Sequence, residues 1–377
     1  MFNFIKKIMK AVVCSIVLLF FGNYCKAQQI AKLPFGAKHH EELTIYVHPG
    51  TELMIIVQLL AEKYSDPNPS SYYEAMKVWF TPFKDHAAVK YLESFRSQLY
   101  PDFVELGWCF DNFPDITVYA PDDIHWYRYY GKDSVIQYLN LVKQFYKDSK
   151  FWDFYSQYEE MYSKWGEEVK KKIIAKGTLT RLYSFYNNKQ KGKWYIGIEP
   201  LNAWGSHAIP HIKSINEKYK EYTIYETGYF SNKATKSSEP SFALDDKSIE
   251  ELLWHEGSHH MLRKMMDKYK KEIGQLSYLF HKEDEGLKRN NISNWEYCFE
   301  ENVVRSVVAC LIKKYSGDRK YEKEIDIQDY SDFLYVKPLA PFINDVYLHK
   351  NKYKNFDEFF PEILMLLAKK FKSRHLK

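Results

Sequence analysis

A chain of 377 residues, 45% hydrophobic and 27% charged, carries enough apolar material for a large core, which excludes a disordered protein. Its formal charge of +5 falls to +1 once the four lysines of the first 27 residues are set aside, so no polybasic surface points to nucleic acid. Beyond that segment three cysteines remain, Cys109, Cys298 and Cys310. They are too few for a disulfide framework, and their pairing stays open.

The first residues read as an address. Lys6, Lys7 and Lys10 precede a nearly continuous apolar run from Ala11 to Phe21, and Cys25-Lys26-Ala27 offers small residues at −3 and −1 of a cleavage site. We expect a signal peptide over 1–27, cleaved after Ala27, and export to the periplasm or the extracellular space. The apolar run is about 11 residues where a bilayer span needs about 20, so the mature chain is expected to carry no membrane span.

After it, Leu43 to Val47 reads as a strand stopped by Pro49-Gly50. A helix is predicted from Thr51, with Leu53, Ile56, Val57, Leu60 and Ala61 on one face. Further helices are predicted over Tyr72–Phe80, Ala87–Gln98, Ser134–Tyr146 and Phe151–Ile174, with a polar, proline-containing interruption from Pro101 to Asp123. The middle changes character: Trp194 to Glu199 and Tyr222 to Glu226 are short, aromatic and β-branched, flanked by Pro200, Gly205 and Gly228, and read as strands of a small sheet. From Ser248 onward the chain reads as helical, with breaks near Gly286–Ser293, Gly317–Asp332 and Asn351–Asp357. The expected class is α+β, mostly helical with a small mixed sheet. No repeat or linker divides residues 28–377, so one unit is expected, helical over about 28–180 and carrying the sheet and the site over about 181–377.

Within the last part lies His255-Glu256-Gly257-Ser258-His259, an H-E-x-x-H pattern. Ser248 and Glu251 form a capping box that would start a helix at Ile249 and put His255 and His259 at i and i+4 on one face. Two neutral imidazoles can hold Zn²⁺, the ion lowers the pKa of its water towards about 7, and Glu256 can serve as general base and then acid. Chance would supply the pattern in roughly three such chains in a hundred, so the motif needs its context. His260, at i+5 from His255, points away from the pair and reads as an outer partner or an exposed residue.

A catalytic zinc needs a third protein ligand. The extended pattern H-E-x-x-H-x-x-G-x-x-H is absent, because Leu262 and Met265 stand at the later positions. Downstream, Ser293 and Glu296 form a second capping box before an apolar helix through Val307, Val308 and Leu311. Glu300 and Glu301 both sit at the border of that run, where a carboxylate needs a partner or a metal, and periodicity does not separate them.

The arrangement of H-E-x-x-H on one helix and a Glu on a later one resembles the gluzincin branch of zinc metallopeptidases. More narrowly, the chain resembles a family of exported bacterial proteins of unknown function that is regarded as zincin-like. The resemblance is carried by Glu52-Leu53-Met54 to Ala61, by Tyr73 to Phe83-Lys84-Asp85-His86-Ala87-Ala88-Val89, by His255 to His259, and by Glu301-Asn302-Val303-Val304-Arg305. It implies a zincin-like fold, E-x-x-V-R as the ligand motif and hence Glu301 as the third ligand. The familiar gluzincin helix carries an Asp four residues after that Glu; here Arg305 stands there, able to pair with Glu301 or with a substrate carboxylate. Zincins lay substrate along the edge of a sheet, and Tyr222 to Glu226 is expected in that sheet.

The expectation is an exported zinc peptidase acting on a peptide or protein substrate, with His255, His259 and Glu301 on Zn²⁺, Glu256 as catalytic base, and Arg305, His260 and Glu300 as outer partners. A non-catalytic binding protein on the same scaffold, a structural metal site closed by His260 or Glu300, and a hydrolase of non-peptide bonds are the alternatives. For an oxyanion stabiliser, His207, His211, Tyr229, Tyr347 and His349 qualify by residue type only. Asp85-His86 reads as a helix cap.

Overall fold

The structure is a computed structural model and describes residues 42–63, 66–95, 100–122, 124–188, 192–209, 222–228, 235–239, 246–280, 285–290, 292–349 and 352–371. The expected signal peptide lies outside them. A strand, β1 (Glu42–Tyr46), leads directly into a helix, α1 (Pro49–Leu60). His48 makes the turn: its backbone is extended and its Nδ1 accepts from Thr51 N at 3.2 Å, while Pro49 occupies a position whose N–H would have no partner. The helix thus starts two residues before Thr51. It is buried on nearly every side, Met54, Ile55 and Glu52 included, because neighbours surround it.

Helices α2 (Ser71–Phe80) and α3 (Ala87–Ser94) follow; Ser70 and His86 cap them with side-chain acceptors. His86 is therefore a cap, as its position suggested, and its Nε2 lies 3.2 Å from Asp148. The interruption expected from Pro101 is partly regular: a short helix α4 (Tyr100–Glu105), a 3-10 turn (Leu106–Cys109) and a hairpin of β2 (Phe110–Asp111) and β3 (Thr117–Val118). After α5 (Tyr127–Tyr130) and α6 (Lys132–Asp148), the single helix expected over 151–174 is split into α7 (Phe151–Tyr155) and α8 (Glu159–Lys176) by a 3-10 turn at Ser156–Tyr158. The split serves two anchors. Tyr155 donates to Val47 O at 2.5 Å on one side of it, and Tyr162 meets the Tyr72 hydroxyl at 2.7 Å on the other. Helix α9 (Thr178–Tyr186) was not expected.

Strands β4 (Lys193–Glu199), β5 (His207–Ile209) and β6 (Tyr222–Gly228) complete a four-stranded sheet in the order β1-β4-β6-β5. The first three run parallel and β5 antiparallel, so the sheet is mixed. Alternation assigns its two faces. Tyr195, Gly197 and Glu226 face α1 and the 3-10 turn, where Trp108 lies between His48 and Tyr195. Trp194, Ile196 and Tyr225 face the other way.

The remaining helices are α10 (Asp246–Lys268), α11 (Lys270–Gln275), α12 (Glu285–Arg289), α13 (Trp295–Ser316), α14 (Asp318–Tyr330), α15 (Val336–Phe342), which runs on as a π-helical segment Ile343–Leu348, and α16 (Phe356–Phe371). Two expectations are corrected here. The break placed at Gly317–Asp332 is largely α14: its sequence is too polar to show a 3.6-residue stripe, and it buries only Tyr321 and Gln328. The break at Gly286–Ser293 contains the short α12. The class is α+β, predominantly helical with a small mixed sheet. His39–Lys377 forms one compact unit. Cys109, Cys298 and Cys310 are buried free thiols. Among the described residues no helix is long and apolar enough to cross a membrane.

Candidate metal centre

Helix α10 begins at Asp246, so Ser248 lies in its first turn and is not the cap; a longer helix started upstream displaces the expected box. What seats this helix is the inside of the motif. A Cβ on Gly257 would stand 2.4 Å from Leu182 Cδ2 and 2.8 Å from the Trp194 ring, so only glycine lets α10 approach α9 and β4 this closely. Trp254, fully buried, donates its indole N–H to Thr178 O at 3.1 Å and ties the same turn to the start of α9. The face that carries His255 and His259 is thereby fixed in rotation as well as position.

Helix α13 is capped by Asn294 and not by Ser293: Asn294 has an extended backbone and its Oδ1 accepts from Tyr297 N at 2.9 Å. Asparagine caps as well as serine, and one residue nearer wins. Further along, buried Asn302 accepts from Tyr335 N at 3.0 Å and donates to Cys298 O at 2.8 Å, which locks the register of α13 against α15.

The two helices bring three donors together. His255 Nε2 and His259 Nε2 are 3.4 Å apart; Glu301 Oε1 is 3.2 Å from His259 Nε2, and Glu301 Oε2 is 3.7 Å from His255 Nε2. Ligands at about 2.0–2.1 Å from a tetrahedral Zn²⁺ would be spaced roughly 3.3 Å apart; in this triangle one ligand atom from each of the three side chains lies within 4.8 Å of the others, with a different Glu301 oxygen nearest each imidazole. Among the described residues it is the one set of three or more His, Cys, Asp or Glu side chains close enough to share a metal. Glu300 does not join it. Its Oε1 lies 2.9 Å from His259 Nδ1, the ring nitrogen opposite the triangle, which fixes the tautomer and orientation of that imidazole. Geometry separates the adjacent glutamates: Glu301 faces both histidines and Glu300 stands behind one of them.

Arg305 donates from Nε to Glu301 Oε2 at 2.9 Å and from Nη1 to Gln328 at 3.0 Å, with its guanidinium 3.8 Å from the centre of the Phe333 ring. It is thus committed to holding Glu301, the first of the two roles its position allowed. His260 is exposed and is not one of the three clustered side chains.

The charges follow from these partners. Burial pushes the Glu301 carboxyl up, but His255 and His259 outweigh it and hold it well below the usual range. Burial disfavours the charge on His259, yet Glu300 and Glu301 raise its pKa well above an ordinary imidazole. Glu256 is raised, by burial first and by Glu301, against the pull of His255, His259 and Arg305. The side chains of His255 and His259 keep about a fifth of their surface exposed (20% and 19%), so solvent reaches the triangle.

The residues considered for an oxyanion are placed elsewhere or outside the described residues. His207 is on the sheet face opposite α10, where burial lowers its pKa to about 4. Tyr347 is buried and donates to Phe185 O at 2.7 Å; His349 Nδ1 lies 2.6 Å from Asn344 O. His211 and Tyr229 lie outside the described residues. A residue that sequence reasoning passed over, Tyr297, is one turn before Glu301 on α13; burial first, then Glu301 and Glu256, raises its pKa. Its i,i+4 spacing from Glu301 was the available signal.

A family defined by a domain of unknown function, DUF4932, matches residues 127–366. The chain is a DUF4932 protein. The DUF4932 match contains α10 and α13 with every residue of the triangle, whereas the resembling stretches at Glu52–Ala61 and Tyr73–Val89 precede it. No curated protein and no solved structure matches the chain.

Proposed function

We propose that this DUF4932 protein is a zinc-dependent metallohydrolase of gluzincin type, exported from the cytoplasm and acting on peptide bonds. The observation that carries the reading is the convergence of His255, His259 and Glu301, whose ligand atoms lie within 4.8 Å of one another, with Glu256 next to His255 on the same helix. Glu300 on the rear nitrogen of His259 and Arg305 on Glu301 are the outer contacts that a functional metal site uses to aim its ligands. With three protein donors and a face open to solvent, a fourth position is left for water or substrate, which favours catalysis over a closed structural site.

A bound Zn²⁺ supplies Lewis-acid polarisation of a carbonyl and acidifies a water. The protein's own part is proton handling. Glu256, beside His255 on the same helix, would remove the proton of the attacking water and deliver it to the departing nitrogen as the C–N bond breaks. Strand β5 lies at the sheet edge among the described residues and packs near α10, so its backbone can pair with an extended substrate. The expected Tyr222–Glu226 strand belongs to this sheet as the interior strand β6 beside that edge.

Glu256→Gln tests the reading. The variant should bind one zinc per chain, read by elemental analysis, and lose roughly 10²–10⁴-fold in turnover of a quenched-fluorescent peptide library. Wild-type protein purified without zinc affinity supports a binding protein instead, and full turnover in the variant removes Glu256 from the chemistry.

A further inference from the structure

Helix α14 is mostly solvated, and the two residues it buries are Tyr321 and Gln328. A buried amide costs free energy unless it is paired, and that of Gln328 is paired at both ends. Its Oε1 accepts from Arg305 Nη1 at 3.0 Å and its Nε2 donates to Glu324 Oε1 at 2.7 Å. A guanidinium only donates and a carboxylate only accepts, so the amide has one orientation here. It presents its oxygen to Arg305. On the other side Arg305 Nε donates to Glu301 Oε2 at 2.9 Å. A Glu–Arg pair four residues apart on one helix is weak by itself, because the long side chain has other rotamers open to it. Gln328 and the Phe333 ring, 3.8 Å from the guanidinium, remove that freedom, and Phe333 N donates to Gln328 O at 3.0 Å, which joins the two holding groups.

We propose that Gln328 is a positioning residue of the metal centre: through Arg305 it holds the Glu301 carboxylate with Oε2 on the guanidinium and Oε1 towards His259, where an ion would share it. The inference rests on the reading that His255, His259 and Glu301 hold a metal, and not on the substrate. Glu301 Oε1 lies 3.2 Å from His259 Nε2, so a carboxylate held in this rotation has one oxygen on the guanidinium and the other beside the imidazole. Without the Gln328 acceptor Arg305 keeps only the weak pair within its own helix, and the carboxylate is free to turn. A residue 27 positions after Glu301 on a solvated helix (328 − 301) thereby sets how that ligand is aimed.

The test reads zinc affinity, by competition with a chelator, and the visible absorption of the Co²⁺-substituted protein, which reports how the donors sit around the ion. Gln328→Met keeps the length of the side chain and loses the acceptor; it should bind zinc about tenfold more weakly and shift the Co²⁺ bands. Gln328→Ala carries the same expectation if the methionine variant does not fold. Gln328→Glu keeps an oxygen for Arg305 and should keep wild-type affinity and spectrum. Tyr321→Ala removes the other buried side chain of α14 and should lower the melting temperature while leaving both readouts unchanged. Wild-type affinity and spectrum in Gln328→Met, or a loss in Tyr321→Ala or Gln328→Glu equal to that of Gln328→Met, overturns the proposal and leaves the metal reading intact. Wild-type protein that takes up neither Zn²⁺ nor Co²⁺ overturns both.

Discussion

Carboxylates are buried on both faces of the central sheet, and the two groups behave oppositely. On the α10 side Glu301, 4% exposed, meets two imidazoles and a guanidinium and stays ionised well below its usual range. On the α1 side Glu52 and Glu226 are as deeply buried, but their partners are neutral. Tyr72 donates to Glu52 at 2.7 Å and Trp108 to Glu226 at 3.2 Å, and one oxygen of each carboxyl has no partner among the described residues. Burial raises both to about 8, and Glu52 adds to the rise at Glu226. Burial alone therefore does not make a metal site. What distinguishes the α10 face is a set of imidazole and guanidinium nitrogens beside the carboxylate, and without such a set Glu52 and Glu226 are core acids whose pKa burial raises.

Three substitutions press on that contrast, beyond the loss of turnover expected for Glu256→Gln. Glu301→Gln should have the largest effect, removing a charged donor from the triangle. Zinc affinity, measured by competition with a chelator, should fall by more than the roughly 10–100-fold that loss of an outer contact costs. Glu300→Gln supplies that smaller figure: it leaves the three donors and weakens only the grip on His259, so a loss as large as that of Glu301→Gln would make Glu300 a ligand. The smallest effect belongs to the other face. A carboxyl whose folded pKa is raised contributes most below its unfolded value of about 4.5, and that contribution is lost as pH rises towards about 8. Stability to urea, measured on metal-free protein, should thus decline across pH 4.5–8 less steeply in Glu226→Gln than in wild type, by about 1–3 kcal/mol at the upper end. Glu301 has the opposite sign, since its depressed pKa gives stability above about pH 4.5 that is lost on acidification. An unchanged slope in Glu226→Gln would mean that this carboxyl is not held neutral.

Much of the site was legible because its chemistry is local in sequence. The histidines of α10 are four residues apart, and a helix places any such pair on one face. The glutamate was narrowed to two neighbours by the apolar run of α13. Choosing between them needed the facing helix, because adjacent residues on a helix point about 100° apart and only the partner's position says which direction matters. The same limit explains the errors. The cap of α13 shifted by one residue to Asn294, α14 shows no stripe because it is mostly solvated, and β5 is three residues long and exists through pairing with β6. Tyr297 could not be singled out among abundant tyrosines until its neighbours were known.

The sequence by itself determined the residue types, their helical spacing and the class of the fold, since these depend on contacts within one or two turns. The tertiary structure decided which carboxylate completes the triangle, that Gly257 and Trp254 seat α10 against α9 and β4, and that Arg305 pairs with Glu301. Those outcomes rest on contacts between segments tens of residues apart, where packing fixes direction and a linear pattern carries none.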